Sequence, residues 1–344
     1  MKQLKFIRAN KTKFGGAEVY LSRLSNELNK SDIEHDLVHS SIPNILPSWI
    51  RVLLFNFQVC FSKKDTFYFS LERISCPDIY RAGDGVHKVF LSVEKKSKTN
   101  LLHKVYLYLE KKCFENSKKI IANSHMIKNQ IVETYNISPS KIEVIYNGVN
   151  LIKPDFKKSY EKLTKEFDIK KDEKVLLYVG SGFKRKGVEE FLQIFSKIKN
   201  EKCKAFIIGK EKKILYYKNL AKELKIDTKV IFTGPRSDVV DFYTISDIFL
   251  FPTRYEPFSN VILEAMSFSN VVITTKQNGA HEILKDEFTM DSSKDYSVVG
   301  KIDELLEDQE RVNKTKAQNL EIVQNFSIER NVEQTLKVIN EIIN

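Results

Sequence analysis

Two series of short apolar runs, each run followed by a helix-length amphipathic segment, constrain the fold of this chain more than any other feature. Such alternation predicts βαβ units around a parallel sheet. The predicted strands are Leu4–Arg8, Asp36–His39, Thr66–Phe69, Lys119–Ala122 and Ile142–Ile145 in the first series, and Val175–Val179, Ala205–Ile208, Val230–Phe232, Ile248–Phe251 and Val271–Thr274 in the second.

A lysine-rich stretch over residues 151–172, with one proline and no strand pattern, separates the two series. We therefore expect an α/β protein with two doubly wound, Rossmann-like domains, residues 1–150 and 173–326, joined by this linker. Ligands of such folds bind at the carboxyl ends of the strands, here in a cleft between the domains. Residues 327–344 have one broad apolar face, which predicts a C-terminal helix that packs back on the first domain.

The charge of the chain is unevenly distributed. The 344 residues include 56 Lys and Arg against 45 Asp and Glu, a formal net charge of +11. Residues 1–150 hold 23 basic and 14 acidic side chains, a net +9, so the rest of the chain carries only +2. This asymmetry indicates either an acidic partner of the first domain or a lysine-rich solvated surface.

The four cysteines, at positions 60, 76, 113 and 203, show no C-x-x-C spacing. We therefore expect reduced core thiols in a cytoplasmic protein. The first residues, M-K-Q-L-K-F-I-R, are typical of an opening strand rather than a secretion signal. The uncharged run Val52–Ser62 near the start is too short to span a bilayer.

The segment after the predicted strand Ile248–Phe251 combines an anion site with two carboxylates. Ser259 or Asn260 is a suitable N-cap, so the first turn of the next helix would offer N–H groups and a positive dipole end to a phosphate. Glu256 precedes this turn and Glu264 follows it, which suits a sugar and a ribose on either side of a diphosphate. From spacing alone, a charge at a helix start plus a surface glutamate is the simpler interpretation.

This segment, E-P-F-S-N-V-I-L-E-A-M, resembles the E-x7-E motif of the retaining glycosyltransferases of family 4. The resemblance implies the GT-B fold, which consists of two Rossmann-like domains with the active site between them. It also implies a nucleotide-sugar donor, for which Glu256 is a catalytic residue as well as a ligand. The donor-binding residues that it implies in this segment are Glu256, Phe258, Ser259, Asn260, Val261 and Glu264.

Three other segments resemble parts of the same family that bind the donor. Gly15 and Gly16 are similar to its N-terminal glycine loop, which lies against the donor phosphates because only glycine permits so close a backbone approach. The run V-G-S-G-F-K-R-K-G resembles its phosphate segment and implies that Arg185 and Lys186 neutralise the leaving diphosphate. The run G-P-R resembles a loop near the nucleotide base and implies a base or phosphate contact for Arg236.

Residues 81–87, R-A-G-D-G-V-H, resemble the enzymes that add glucose to the lipopolysaccharide core, the core glucosyltransferase I group. This similarity implies that Asp84 faces the transferred sugar, with His87 as an alternative on the acceptor side. Without the resemblance, A-G-D-G favours a simple turn.

The resemblance implies a bacterial enzyme that transfers a hexose, glucose being favoured, from a UDP-sugar to a lipopolysaccharide core or related surface glycan. It also implies retention of configuration and no metal or other cofactor, since the UDP-sugar is a co-substrate. No second carboxylate nucleophile is evident, so we expect a front-side mechanism in which the leaving diphosphate deprotonates the acceptor. The chain lacks the glycine and proline usual after the second glutamate, which predicts that Asn270 makes the turn in the left-handed conformation.

Residues 88–119 carry nine Lys and Arg against three Glu. A helix here would border apolar and aromatic side chains with lysines, which is typical of interfacial helices on anionic membranes. The same pattern is compatible with an amphipathic helix that packs on its own sheet. The first interpretation predicts a cytoplasmic enzyme peripheral to the inner membrane face, with an anionic glycolipid acceptor.

Two other functions remain open from the sequence. A GT-B sugar-nucleotide epimerase would share the fold but need no acceptor. A basic, non-catalytic binding module would explain the charge alone. Nucleic acid is not an expected partner, because no nucleic-acid-binding motif accompanies the basic residues.

Overall fold

The computed structural model describes residues 3–11, 16–30, 33–97 and 99–343. They form two compact units, Met1–Asn147 with Ile328–Asn344 (unit 1) and Gly148–Ser327 (unit 2). The strands are β1 Gln3–Ile7, β2 His35–Val38, β3 Thr66–Ser70, β4 Ile79–Arg81, β5 Lys119–Ala122, β6 Ile142–Val144, β7 Lys174–Val179, β8 Cys203–Ile208, β9 Val230–Gly234, β10 Ile248–Phe251, β11 Val271–Thr275 and β12 Thr289–Met290.

Helices flank these strands in both units. They are α1 Gly16–Lys30, α2 Ser48–Phe61, α3 His87–Val93, α4 Leu101–Asn116, α5 His125–Tyr135, α6 Phe156–Phe167, α7 Val188–Phe195, α8 Ile214–Glu223, α9 Val239–Ile245, α10 Asn260–Ser267, α11 Val298–Glu307, α12 Gln309–Val323 and α13 Ile328–Ile343. Short 3-10 turns occupy Pro139–Lys141, Gly279–Ile283 and Asp286–Phe288.

Unit 1 contains a six-stranded parallel sheet in the order β2-β1-β3-β4-β5-β6. The chain therefore winds from β1 to β2 on one side and from β3 onward on the other. The sequence predicted every strand of this sheet except β4, in which only Ile79 and Tyr80 form an apolar run. Of the two glycines in the predicted N-terminal glycine loop, Gly16 begins α1. Gly15 lies outside the described residues.

The core of unit 1 is built on α1 and on the terminal helix. The helix α1 buries Tyr20, Leu21, Leu24 and Leu28 in one cluster with β1 and β3. The helix α13 joins this cluster through Val332, Val338 and Ile339. Burial of such side chains stabilises each by about 1.5–3 kcal/mol. The C-terminal residues thus pack in the same unit as the first strand.

Unit 2 contains a second six-stranded parallel sheet, in the order β12-β11-β10-β7-β8-β9. Renumbered from its own first strand, this is the Rossmann order 3-2-1-4-5-6. Five of its strands were predicted, and β12 was missed because it has two residues. The predicted linker contains α6, which buries Leu163 and packs against α9.

The turn after α10 differs from the prediction. Ser269, not Asn270, has the left-handed conformation, with φ 60°. Asn270 is fully buried instead, and its side-chain amide donates to the carbonyl oxygens of Tyr243 and Ser246 at 2.8 and 3.1 Å. These bonds hold the Asn270 side chain in the core, and the preceding serine adopts the left-handed conformation instead.

The prediction of four reduced cysteines is wrong for two of them. Cys60 at the end of α2 and Cys76 in the loop between β3 and β4 form a disulfide, while Cys113 and Cys203 are free and buried. The sequence could not show the pairing, because a separation of 16 residues does not reveal that β3 returns the chain to α2.

Within the basic stretch 88–119, residues 88–93 belong to α3 and residues 101–116 form α4, while Lys98 lies outside the described residues. In α4, Leu109, Cys113 and Phe114 are buried, whereas Leu101 and Tyr108 are 52% and 58% exposed. In the described ranges, no helix has both the length and the apolar character that crossing a bilayer requires.

Candidate functional site

Three charged side chains meet at the topological switch point of the second sheet. The adjacent strands β7 and β10 end here, and each leads into a helix on a different side of the sheet. Arg185 follows β7, and its Nη1 donates to Glu256 Oε2 at 2.7 Å. Lys186 Nζ lies 3.5 Å from the same carboxylate oxygen. The structure thus brings together the predicted residues of two separate motifs.

Backbone hydrogen bonds hold this cluster in place. The amide of Arg254 donates to the carbonyl oxygen of Arg185 at 2.9 Å, which joins the loops after β7 and β10. The amide of Glu256 donates to Gln277 at 2.9 Å and its carbonyl accepts from Gly279 at 2.9 Å, which joins the loop after β11. Glu256 is therefore positioned by its main chain on both sides.

Gly187 permits the close approach of these two loops. Its φ is +80°, and a Cβ at this position would lie 1.9 Å from the carbonyl oxygen of Pro252. Any other residue would both adopt an unfavourable backbone conformation and displace the loop that carries Glu256.

The start of α10 lies next to the cluster. Ser259 is at the N-cap position, but its side chain makes no capping hydrogen bond. Its amide donates instead to Asn278 Oδ1 at 3.2 Å, and the same oxygen accepts from the Ala280 amide at 3.1 Å. Of the remaining predicted ligands, Phe258 is buried, and Asn260 and Val261 are half-buried.

Glu264 is held by a buried tyrosine. Tyr243 Oη donates to Glu264 Oε2 at 3.0 Å, and its ring stacks on Phe268. Burial, with the Glu264 carboxylate beside it, holds the pKa of Tyr243 well above its ordinary value. Tyr243 is therefore a protonated donor that orients Glu264.

Arg236 forms its ion pairs outside the Glu256 cluster. Its guanidinium donates to both oxygens of Glu166 at 2.6 and 2.9 Å and to Asp238 at 2.8 Å. Hydrogen bonds to Asp238 and Glu166 raise the pKa of Arg236 above its ordinary value. It follows β9, the edge strand separated from β7 by β8. The structure therefore does not bring Arg236 into the Glu256 cluster.

In unit 1, Asp84 lies on a loop whose backbone is anchored on both sides. Asn123 Nδ2 donates to the carbonyl oxygen of Gly83 at 3.2 Å, and Arg73 Nη2 donates to that of Gly85 at 3.0 Å. The Asp84 side chain is exposed. An exposed carboxylate on a fixed backbone is a suitable arrangement for a group that contacts substrate.

His87 begins α3 inside a polar network. Its Nε2 lies 3.2 Å from His103 Nδ1, and its amide donates to the fully buried Glu110 at 2.6 Å. Glu110 also accepts from Arg73 Nε at 2.9 Å and from Tyr135 Oη at 2.6 Å. Burial, and then the nearby Arg73, lower the pKa of His87 to about 4. At neutral pH the imidazole is therefore uncharged.

Three residues that position the sites were not predicted from the sequence, namely Tyr243, Asn278 and Arg73. Asn278 had a usable signal, since an asparagine before a glycine after a predicted strand often makes a side-chain turn. Tyr243 and Arg73 had none, because their partners lie 21 and 37 residues away in the chain.

Comparison with known families agrees with this geometry. The family described as Glycosyl transferases group 1 matches residues 159–321, and Glycosyltransferase Family 4 matches residues 81–153. These two models match most of unit 2 and the later part of unit 1, so the resemblance to the glycosyltransferases is confirmed for these parts of the chain.

Curated relatives match over about half of this chain. An uncharacterized glycosyltransferase of Methanocaldococcus jannaschii is 31% identical over 177 residues, 50% of this chain and 45% of the relative. The N-acetyl-alpha-D-glucosaminyl L-malate synthase of Bacillus anthracis is 31% identical over 173 residues, with 50% and 45% covered. The chain thus matches somewhat less than half the length of these relatives.

Solved structures match over nearly the whole chain. WaaG, a glycosyltransferase involved in lipopolysaccharide biosynthesis, has a TM-score of 0.82 at 17% identity and covers 98% of this chain and 99% of its own. Anabaena HepE in complex with UDP and glucose has a TM-score of 0.75 at 17% identity, with 99% and 100% covered. These similarities show the GT-B fold.

Proposed function

We propose that this chain transfers a hexose, with glucose favoured, from a UDP-sugar to a lipopolysaccharide-core or related surface-glycan acceptor, with retention of configuration and without a metal ion. The observation that carries the proposal is the Glu256–Arg185–Lys186 cluster at the switch point of unit 2. The fold of HepE, which was solved with UDP and glucose, supports the choice of donor.

The cluster suits the departure of a diphosphate. Two cations and one carboxylate leave a net positive charge, and the cations are oriented before any ligand binds. Negative charge develops on the β-phosphate as the sugar bond breaks, so preorganised cations stabilise the transition state more than the ground state. Glu256 would accept from hydroxyls of the donor sugar, and Glu264, oriented by Tyr243, from the ribose.

We further propose Asp84 of unit 1 as a catalytic residue. In a front-side reaction the leaving diphosphate takes the proton of the acceptor hydroxyl, and a nearby carboxylate stabilises the positive charge that develops on the sugar. Asp84→Asn should then lower turnover more than tenfold while UDP affinity is unchanged. The exposed Asp65, elsewhere in unit 1, provides the matched control Asp65→Asn.

A panel of nucleotide sugars in the presence of a chelator tests the donor. UDP-glucose at 100 times its Kd should stabilise the protein by about 2.7 kcal/mol. Arg185→Ala should abolish this shift, whereas Lys184→Ala, at the exposed neighbouring position, should preserve it. A panel in which no nucleotide sugar stabilises the protein would contradict the proposal and favour the basic binding module.

Product analysis tests the reaction class. We expect UDP release only when a glycan acceptor is added, and NMR of the product should show the anomeric configuration of the donor. Donor conversion without acceptor would instead indicate the epimerase.

We extend the proposal to an anionic membrane surface at the cytoplasmic face. It is supported by α2, which packs on α4 and leaves Leu54, Phe57 and Phe61 42%, 66% and 81% exposed. Lysines 104 and 111 on α4 are also exposed. Exposed aromatic side chains beside lysines favour the interface of anionic lipids.

Vesicle sedimentation tests this surface. Phe57→Ser with Phe61→Ser should reduce binding to phosphatidylglycerol vesicles at least tenfold. Leu215→Ser, at a position 71% exposed in unit 2, is the control and should bind like the parent. Equal binding of the parent to neutral phosphatidylcholine vesicles would contradict the role of the lysines.

A further inference from the structure

A buried carboxylate of unit 2 lies beside the loop that carries Glu256. Glu190 is in the first turn of α7, and only 1% of its surface is exposed. Arg254, in the loop after β10, donates to Glu190 Oε1 from Nε at 3.1 Å and from Nη2 at 2.7 Å. This ion pair therefore joins the helix after β7 to the loop after β10.

The geometry of the pair is not the one that would stabilise the fold most. Both nitrogens of Arg254 bind the same oxygen, and Glu190 Oε2 is buried with no hydrogen-bond partner among the described residues. A buried carboxylate loses its hydration, and an oxygen without a donor recovers none of it. Two apolar side chains would avoid this cost, so the pair points to a role in orientation.

The main chain beside Arg254 holds Arg185. The Arg254 amide donates to the carbonyl oxygen of Arg185 at 2.9 Å. Arg185 Nη1 donates to the carbonyl oxygen of Tyr255 at 2.6 Å and to Glu256 Oε2 at 2.7 Å. This segment of three residues thus fixes both the backbone and the guanidinium of Arg185, and Glu190 fixes the side chain with which the segment begins.

We propose that Glu190 is a positioning residue of the donor site. By holding the Arg254 guanidinium, it fixes the segment that orients Arg185, while its own carboxylate is too deeply buried to contact a ligand. A cation stabilises the charge of a phosphate only where it is correctly placed, so loss of Glu190 should weaken the contact with the β-phosphate selectively. The inference rests on the proposed function, in which the cluster binds the diphosphate of the donor.

A comparison of UDP with UMP tests the inference, because UMP lacks the β-phosphate. In calorimetric titrations the parent should bind UDP more tightly than UMP. Glu190→Gln keeps the shape of the side chain and removes its charge, and it should weaken UDP about tenfold while the affinity for UMP is unchanged. A residue that only maintained the fold would behave differently, because its replacement would lower the stoichiometry of both nucleotides and leave the ratio of their affinities intact.

Variants of Arg254 show whether Glu190 acts through it. Arg254→Gln should also weaken UDP selectively, and the double variant Glu190→Gln with Arg254→Gln should bind UDP no more weakly than either single variant. The double variant leaves neither charge of the pair buried alone, so it keeps the test valid if a single variant does not fold. Arg254→Lys, which retains the charge and a donor, should recover part of the preference for UDP.

The matched control is Glu189→Gln, which removes a charge from the same helical turn and should bind both nucleotides like the parent. An unchanged ratio of UDP to UMP affinity in Glu190→Gln and in the double variant would overturn the inference. A parent that bound UDP no more tightly than UMP would contradict the proposed function as well, because the cluster would then not hold a diphosphate. The two failures are therefore distinguishable.

Discussion

Each sheet has a polar cluster at its topological switch point, but the cations of the two clusters differ in whether they are paired with a carboxylate. In unit 2, Arg185 and Lys186 share the carboxylate of Glu256 within 3.5 Å. In unit 1, Arg51 and Lys11 line one cavity and have no acidic partner among the described residues. Cations held by an internal carboxylate keep one geometry, which suits bond breaking. The two units therefore differ in whether these cations are paired with a carboxylate.

The largest expected effect comes from Gly187, which allows the loops of the unit 2 cluster to meet. Gly187→Ala should destabilise unit 2 by more than about 3 kcal/mol, because the new Cβ would clash with the Pro252 carbonyl and φ is positive. Urea unfolding measures this loss. The control Gly300→Ala, in α11 with open space around it, should change stability by no more than about 1 kcal/mol. Equal stabilities of the two variants would show that the close loop contact is dispensable.

A second prediction separates the effect of Glu256 on kcat from its effect on the affinity for UDP. Glu256→Gln keeps the shape of the side chain but releases Arg185 and Lys186 from their shared carboxylate. We expect kcat to fall about 10²-fold, while the affinity for UDP alone increases, because the diphosphate no longer competes with Glu256. Initial rates and UDP titrations measure the two effects.

The control for this experiment is Glu201→Gln, at an exposed loop position in unit 2. It should change neither quantity. If Glu256→Gln weakened UDP as much as it lowered kcat, the carboxylate would be needed to position the cations rather than to balance them.

The same contrast explains how much the sequence predicted. Arg185 and Glu256 lie in contiguous motifs after the strands β7 and β10, so their neighbourhood followed from the parallel order of the strands. Lys11 and Arg51 come from different elements that only the folded chain brings together, and no motif marks either of them. Local patterns therefore predicted the Glu256 cluster of unit 2 but not the placement of Lys11 and Arg51 in one cavity of unit 1.

The errors in the fold have similar physical reasons. The strand β4 follows Pro77 and Asp78 and has only two consecutive apolar residues, so no strand pattern marked it. The left-handed turn moved from Asn270 to Ser269 because buried carbonyls engage the asparagine side chain. Both outcomes depend on tertiary partners that a local pattern does not contain.

The disulfide provides a third prediction, which concerns unit 1. Cys60 ends the helix that carries Arg51 in its first turn, and the bond closes a loop of 16 residues. Replacing both cysteines by alanine should destabilise unit 1 by about 3 kcal/mol, through the entropy of the unfolded chain. Reductant should lower the stability of the parent by a similar amount and leave the double variant unchanged. A parent insensitive to reductant would contradict the prediction.

The smallest expected effect is a pH dependence of the unfolding free energy of unit 1, which His87 causes. The pKa of this imidazole is about 4 in the folded chain, against 6.5 ordinarily, because of burial and the nearby Arg73. His103 and Glu110 also face it, and the carboxylate of Glu110 opposes the decrease. Below pH 6.5 the unfolded chain therefore binds a proton that the folded chain does not, so stability is complete above pH 6.5 and declines toward pH 4.

Discounted for partial exposure, the decline should amount to about 2 kcal/mol over this range. His87→Gln should flatten the unfolding free energy of unit 1 between pH 6.5 and 4, and the exposed His125→Gln serves as the control. Denaturant titrations at several pH values measure the slope. If His87→Gln kept the slope of the parent, the decline would have to come from another group, and the network around Glu110 would not depend on an uncharged imidazole.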